Sequence, residues 1–175
     1  MDSFEEICQM YYKRVYRFLL ALSGNPQQAE DLTQEVFYKA LLHISDYEDK
    51  GYMFTWLCTI GKNIWLNECR KRKRIRLFEN TFGILEKKQA DGSAGNPAGS
   101  MSGSPEEKVV AQENRRAVQE AILSLPKDYQ DVVILHIYGE VPLREIAVRK
   151  GKSESWGKVT FYRAKRMLKE RLEGY

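Results

Sequence analysis

Two asparagines, Asn63 and Asn67, lie four positions apart in a segment with helical periodicity, just before a run of cations. Residues four apart share one face of a helix, and an asparagine amide forms hydrogen bonds with base edges. Cations at the end of the same helix would neutralise phosphates. The candidates for that role are Lys62, Arg70, Lys71, Arg72, Lys73 and Arg74. Together these residues predict a surface for nucleic acid.

Aromatic side chains around the asparagine pair offer a third kind of contact, because they stack on unpaired bases. The candidates are Trp56, Trp65, Tyr47 and Tyr52. The alternative interpretation assigns both tryptophans to the hydrophobic core and the cations to a solvated helix end. We favour the core for Trp56, and nucleic-acid contact for the face that carries Asn63 and Asn67.

A helix-turn-helix pattern near the C-terminus predicts a second cationic surface. A short helix over residues 143–150 contains Ala147, and a turn at Gly151 and a cap at Ser153 lead into a longer basic helix. A small residue allows the second helix to approach closely, and the major groove accepts such a helix with its N-terminus first. Residues expected near DNA are Ser155, Lys158, Tyr162, Arg163, Arg166 and Lys169. We favour DNA binding over the alternative, a three-helix bundle with a solvated basic face.

Charge is segregated along the chain, whose formal net charge is +4. Residues 62–76 hold seven basic side chains and one acidic one, and residues 142–175 hold ten and four. The two remaining stretches, 1–61 and 77–141, are net acidic. Separate positive zones of this kind favour a polyanionic partner.

Composition argues against several other classes of protein. The 175 residues contain no run of 18 apolar residues and no signal peptide, so we expect no membrane insertion and a cytoplasmic location. Three cysteines without a CxxC pair and two isolated histidines predict no disulfide framework, no metal, no cofactor and no catalytic residue. We also expect control to come from outside the chain or from expression level, because the sequence ends soon after the basic helix.

The elements that must position these residues are all helical, and no β pattern or repeat is present. The first helix has an apolar face from Phe4 to Leu22 and ends at Gly24, and Asn25 caps the second. The inner face of the second helix is predicted to contain Leu32, Val36, Phe37, Ala40, Leu41 and Ile44. Further helices are expected over residues 54–74, 109–125, 129–138, 143–150 and 154–172.

The stretch 89–105 is rich in Gly, Ser, Ala and Pro and cannot bury enough apolar surface to offset its ordering entropy. We therefore predict an all-α chain of two small helical domains joined by a flexible linker. The predicted bounds are 1–80 for the first domain, 81–107 for the linker and 108–175 for the second domain.

Three segments in this order resemble a bacterial RNA polymerase sigma factor of the extracytoplasmic-function (ECF) group of the sigma-70 family. They are AEDLTQEVFYKAL (29–41), FTWLCTIGKNIWLNECRKRKR (54–74) and SLPKDYQDVVILHIYGEVPLREIAVRKGKSESWGKVTFYRAKRML (124–168). The resemblance covers nearly all of the chain except the linker. It implies a transcription initiation factor without chemistry of its own, made of sigma region 2 and sigma region 4.

The resemblance also implies partners and site residues. Core RNA polymerase would bind Asp31, Gln34 and Glu35 through its clamp, and its flap would contact residues 129–138. The −10 element of promoter DNA would meet the Asn63 helix and its cations, with a pocket for a flipped base in the loop 46–52. The C-terminal helix-turn-helix would bind the −35 element. An anti-sigma factor is a further expected partner.

This sequence departs from the family pattern at several positions. Many relatives carry Asp in place of Asn67, and apolar residues are usual where Lys150 and Lys152 stand. Trp156 and Gly157 replace a common Thr-Val pair, and Gly157 is expected to weaken its helix by roughly 1 kcal/mol relative to alanine. The order of Gly139 and Glu140 is inverted. The promoter sequence therefore cannot be transferred from a relative.

Two other classes of function fit the sequence less well. A stand-alone helix-turn-helix regulator would need neither the stretch 29–41 nor the basic zone 62–76. An enzyme acting on nucleic acid would need clustered carboxylates or paired histidines, and the sequence has neither.

Overall fold

The computed structural model describes residues 3–48, 51–81 and 104–174. Within those ranges the chain forms seven α-helices and no strand, which confirms the all-α prediction. The helices are α1 Phe4–Ser23, α2 Pro26–His43, α3 Met53–Thr81, α4 Pro105–Leu123, α5 Lys127–Val133, α6 Leu143–Arg149 and α7 Glu154–Glu173. Their contacts divide the chain into two compact units, Met1–Gly99 and Ser100–Tyr175.

The helix ends of the first unit follow from their local sequence. At the start of α1, Ser3 Oγ accepts from the Glu6 N–H at 3.3 Å and Glu6 Oε2 accepts from the Ser3 N–H at 2.8 Å, a capping box. Gly24 ends the helix with a φ of 67°, a conformation that glycine adopts without strain. Asn25 Oδ1 then accepts from the Gln28 N–H at 3.1 Å, and Pro26 opens α2 as predicted.

The core of the first unit lies where α1, α2 and α3 meet. Its fully buried members include Val15, Phe18, Leu19, Val36, Leu57 and Trp65. Gly61 makes this close packing possible, since a β-carbon there would lie 3.2 Å from both Leu19 Cδ2 and Val36 Cγ2. At the periphery Tyr12 donates to Glu30 Oε1 at 2.5 Å, and this hydrogen bond raises the pKa of Tyr12 to about 12.

The prediction that Leu41 belongs to the inner face of α2 is wrong. Leu41 is 51% exposed, whereas its neighbour Ala40 is fully buried. Each residue turns the helix by about 100°, so Leu41 lies past the edge of the face that contacts the core. Ile44 is only half-buried and belongs to a short 3₁₀ turn, Ile44–Asp46.

The first helix of the second unit begins earlier than predicted. Helix α4 starts at Pro105 instead of residue 109, because Ser104 and Glu107 form a second capping box that fixes its first turn. The last residues assigned to the linker 81–107 are therefore helical. Residues 82–103, which make up most of that predicted linker, lie outside the described residues.

Helices α4 to α7 surround the core of the second unit, which includes Ile122, Val132, Val133, Ile134 and Ile146. Helix α5 continues into a π-helical turn, Ile134–Tyr138, so the predicted helix 129–138 is not a single α-helix. The end of α4 is capped from α5, where Gln130 Nε2 donates to the carbonyl oxygens of Ile122 and Leu123 at 3.1 and 2.9 Å.

Helices α6 and α7 form the helix-turn-helix and cross at close range. A β-carbon on Gly157 would lie 2.9 Å from the Leu143 carbonyl oxygen and 3.5 Å from Ala147 Cβ. Gly151 makes the turn with a φ of 64°, and Ser153 Oγ caps α7 by accepting from the Trp156 N–H at 3.2 Å. Of the described helices, none is both long and apolar enough to cross a membrane.

Candidate nucleic-acid interface

Asn63 and Asn67 lie on the solvent-facing side of α3. Both are exposed, while Ile64, Trp65 and Leu66 between them are buried. Arg70 Nη1 donates to Asn67 Oδ1 at 3.4 Å, which places a cation beside the second amide. The structure therefore brings the two amides and the first cation of the run onto one exposed face.

Lys62 is not where the sequence placed it. The residue is 2% exposed, and its ammonium donates to Asn63 Oδ1 at 2.6 Å. The sequence pattern of α3 does not reveal that Lys62 is buried. Lysine is almost never fully buried, so it is ordinarily assigned to solvent. Because Lys62 is buried, its ammonium is not presented to solvent, and the residue does not belong to the exposed cations of α3.

The remaining cations extend along an exposed part of α3. Residues 70–81 are all exposed, although the helix continues to Thr81. One i,i+4 ion pair joins Arg72 to Glu68 at 3.6 Å. Three apolar side chains on the same extension, Ile75, Leu77 and Phe78, are also about half-exposed, at 48%, 56% and 56%. This extension therefore offers a cationic surface that borders the two asparagines.

The aromatic candidates separate into core and surface. Trp65 is 1% exposed and belongs to the core, so it cannot stack on a base. Tyr47 is also buried, packs against Trp56 with ring centroids 5.0 Å apart, and accepts a hydrogen bond from the Tyr52 N–H at 3.2 Å. Trp56 and Tyr52 are half-buried. Residues 49–50 of the loop predicted to hold a flipped base lie outside the described residues.

Helix α7 has one buried face and, opposite it, one polar face. Gly157, Thr160 and Ala164 are buried against the unit. The opposite face exposes Ser155, Lys158, Tyr162, Arg163, Arg166 and Lys169. Lys158 pairs with Glu154 at 3.1 Å across one helical turn, and both side chains remain at least half-exposed. All of the residues predicted to face the −35 element therefore share one accessible surface.

Sequence reasoning missed Val159 on this surface. It is 46% exposed and lies four residues after Ser155 and three before Tyr162, in the middle of the polar face. An apolar side chain in such a position can contact the methyl group of thymine in the major groove. Helical spacing from Ser155 and Tyr162 was the signal that would have identified it.

The outer face of α2 holds Asp31, Gln34 and Glu35 together. Asp31 and Gln34 are exposed, and Glu35 pairs with Lys39 at 3.1 Å. The same face continues with exposed apolar side chains, Tyr38 at 63%, Leu41 at 51% and Leu42 at 57%. Exposed apolar residues next to polar ones are typical of protein interaction surfaces.

Comparison with known proteins gives two matches to protein-family models. Residues 7–75 match Sigma-70 region 2, and residues 115–168 match Sigma-70, region 4. The chain belongs to the sigma-70 family. Each match lies within one of the two compact units. The first includes Asn63 and Asn67, and the second includes the exposed face of α7 as far as Arg166.

Individual relatives place the chain in the ECF group of this family. It is 28% identical to the ECF RNA polymerase sigma factor SigW of Bacillus subtilis (strain 168), over 98% of this chain and 89% of SigW. It is 29% identical to SigM of the same organism, over 94% of this chain and 92% of SigM. The protein is a transcription initiation sigma factor.

A solved structure supports the fold. The sigma factor RpoE in complex with the anti-sigma factor NepR from Bartonella quintana aligns with a TM-score of 0.54 and 24% identity. The alignment covers 97% of this chain and 96% of RpoE. At that identity the likeness concerns the fold alone.

Proposed function

We propose that this sigma factor divides its work between the two units. Sigma region 2, over residues 1–80, would bind core polymerase and the melted −10 element, and sigma region 4, over residues 108–175, would bind the −35 element as duplex. Residues 81–107 would connect them. The observation that carries this proposal is that each unit has an exposed polar face, one on α3 and one on α7.

The contacts proposed for the first unit follow the exposed residues of α3. Asn63 and Asn67 would bind base edges of the opened strand, and Arg70, Lys71, Arg72 and Arg74 would neutralise phosphates. Lys62 is left out of this set because it is buried. The loop before α3 would accept a flipped base, with the packed Tyr47 and Trp56 rings beside it.

In the second unit α7 would enter the major groove with its N-terminus first. Ser155, Lys158, Tyr162 and Arg163 would face bases, Arg166 would face the phosphate backbone, and Val159 would contact a thymine methyl group. Binding to promoter DNA should depend strongly on salt, because much of the affinity would come from cation–phosphate contacts.

The proposed partner of α2 is the clamp of core polymerase, through Asp31, Gln34 and Glu35 and the neighbouring apolar residues. An anti-sigma factor is proposed as a regulator, since RpoE is solved with one. We propose a cytoplasmic location, where polymerase and DNA are found. The chemistry of RNA synthesis would belong to the polymerase, and this chain would supply recognition and melting without catalytic residues of its own.

Transcription in vitro tests the whole proposal. The purified protein, core polymerase and fragmented DNA of the host are mixed, and the 5′ ends of the transcripts are sequenced. Discrete start sites that share an upstream pair of motifs are the expected result. Specific duplex binding by the protein alone, without polymerase and without start sites, would favour the stand-alone regulator.

We expect Arg163→Ala and Lys158→Ala to lower promoter use by about tenfold while core binding is unchanged, because each loses one contact of about 1–3 kcal/mol. Transcription from a mapped promoter and co-elution with core polymerase measure the two properties. Arg116→Ala removes an exposed cation from α4 of the same unit and is the matched control. Loss of core binding in Arg163→Ala would contradict the division of labour.

The opposite result is expected for Asp31→Ala combined with Glu35→Ala. Affinity for core polymerase should fall about tenfold or more, because charged contacts at an interface contribute on the order of 1–3 kcal/mol each. Fluorescence anisotropy of the labelled protein against core polymerase measures that affinity. Glu113→Ala changes an exposed carboxylate on α4 and is the control. Unchanged affinity of the double variant would remove α2 from the polymerase interface.

A further inference from the structure

Lys62 and Asn63 form a contact between a buried charge and an exposed amide. Lys62 is 2% exposed although its side chain is cationic, and its Nζ lies 2.6 Å from Asn63 Oδ1. Asn63 itself faces solvent on α3. Burying an ammonium is costly unless it is paired and hydrogen-bonded, so the hydrogen bond to Asn63 helps to stabilise Lys62 in its buried position.

The chemistry of the two groups fixes the orientation of the amide. A lysine ammonium has three donors and no acceptor, so the Asn63 atom that faces it must be the carbonyl oxygen. The hydrogen bond has a charged donor and is therefore stronger than a neutral one. Because the amide is planar, holding its oxygen against Lys62 directs the NH₂ group away along the other branch of the side chain.

We propose that Lys62 is a positioning residue that presents the Asn63 amide as a hydrogen-bond donor to the −10 strand. Asn63 Nδ2 would donate to an acceptor on a base, a ring nitrogen or a carbonyl oxygen, and would reject an exocyclic amine at the same place. This inference rests on the proposed contact between α3 and the opened −10 element. It adds the direction of the hydrogen bond and the residue that imposes it.

The energetic role of Lys62 is preorganisation. An amide without a fixed partner rotates freely, and ordering one such side chain on binding costs enough to weaken affinity about two- to tenfold. An amide already held by Lys62 avoids that cost, and it does so only for a base that offers a hydrogen-bond acceptor to the NH₂ group. Removing Lys62 should therefore reduce selectivity at one base position and leave the contacts to other bases and to phosphates unchanged.

The test uses holoenzyme, assembled from the full chain and core polymerase, and fluorescent single-stranded −10 oligonucleotides. The oligonucleotides carry the mapped sequence and every single-base change. Lys62→Met should weaken binding of the mapped sequence about two- to tenfold and reduce selectivity at one position by a similar factor. Asn63→Ala should abolish selectivity at that same position, and the double variant should lose no more than Asn63→Ala. Lys62→Arg, which keeps a charged donor, should restore selectivity.

Asn63→Asp tests the direction of the hydrogen bond without changing the buried residue. Aspartate keeps the oxygen that faces Lys62 and replaces both N–H donors with an acceptor. We expect it to lose selectivity at the same position, and retained preference for the original base would overturn the donor assignment. Circular dichroism and core affinity show whether each variant is folded.

Failure of the inference differs from failure of the proposed function. If Asn63→Ala abolishes selectivity at one position but Lys62→Met leaves that selectivity unchanged, Lys62 has a structural role only and the inference is wrong. If Lys62→Met weakens all sequences equally and lowers the salt dependence, Lys62 is a phosphate contact, which also overturns the inference. If Asn63→Ala changes no selectivity, the proposed base contact itself is wrong.

Discussion

Gly157→Ala should destabilise the second unit by about 1–2 kcal/mol, although alanine forms helices better than glycine by about 1 kcal/mol. The new β-carbon would lie 2.9 Å from the Leu143 carbonyl oxygen, closer than real β-carbons approach. That oxygen belongs to the backbone of α6 and cannot turn aside as a flexible side chain can. Overpacking of this kind typically costs about 1–3 kcal/mol, which exceeds the gain in helix propensity.

The same substitution should impair −35 binding. To relieve the contact α7 must move away from α6, and the residues it presents to the groove, among them Ser155 and Lys158, move with it. We expect affinity of the holoenzyme for a duplex with the −35 element to fall about tenfold, the cost of about one lost base contact. Hydrogen exchange of peptides from α6 and α7 measures the stability of this unit separately.

Gly61→Ala provides the comparison for Gly157→Ala. Its β-carbon would meet the ends of the Leu19 and Val36 side chains at 3.2 Å, which can shift by a few tenths of an ångström. We expect a smaller loss of stability, confined to the first unit, and normal −35 binding. If Gly157→Ala instead slowed hydrogen exchange in α6 and α7, helix propensity would dominate and the close crossing of the two helices would be refuted.

Local signals in the sequence predicted the first unit well. Gly24, Asn25 and Pro26 mark the junction of α1 and α2 because capping depends on residue types next to each other. The family pattern indicated the function, and the residues of α7 expected near DNA are exposed. The sequence did not predict that Gly157→Ala would be destabilising, because that effect depends on a contact with Leu143, fourteen residues away.

Other features could not be predicted because they arise from packing between distant segments. Lys62 is buried by the way α3 lies against its unit, and an isolated helical pattern assigns a lysine to solvent. Glu140 adopts a φ of 54°, while Gly139 before it lacks space, since a β-carbon there would lie 2.7 Å from the Leu135 carbonyl oxygen. This explains glycine at position 139, and the structure gives no reason for a glutamate at position 140.

Lys150, one of the departures from the family pattern, joins the end of α6 to α5. Its ammonium lies 2.6 Å from Asp131 Oδ2 and 2.8 Å from Asp128 Oδ1. Burial lowers the pKa of Lys150, but the hydrogen bonds and negative charges of the two carboxylates outweigh burial and raise it above its ordinary value. Asp131 is 5% exposed, so Lys150 pairs with a largely buried carboxylate.

Lys150→Met should therefore destabilise the second unit by about 1–3 kcal/mol, less than the roughly 3–5 kcal/mol for a fully buried pair because Lys150 is partly solvated. The methionine keeps the apolar stem and leaves Asp131 buried without the ammonium. Hydrogen exchange of α5 and α6 peptides at neutral pH measures the loss. Lys169→Met is the control, because its pair with Glu173 is exposed and contributes little.

The pH dependence gives this prediction a second test. Because the folded pKa of Lys150 is raised, its contribution is fully present below the unfolded pKa and is lost as pH rises through the folded value, in the alkaline range. The difference in stability between the wild type and Lys150→Met should be constant near neutral pH and shrink at alkaline pH. A difference that persists unchanged in alkali would mean that the methionine acts through packing, and that the charge of Lys150 does not stabilise the junction of α5 and α6.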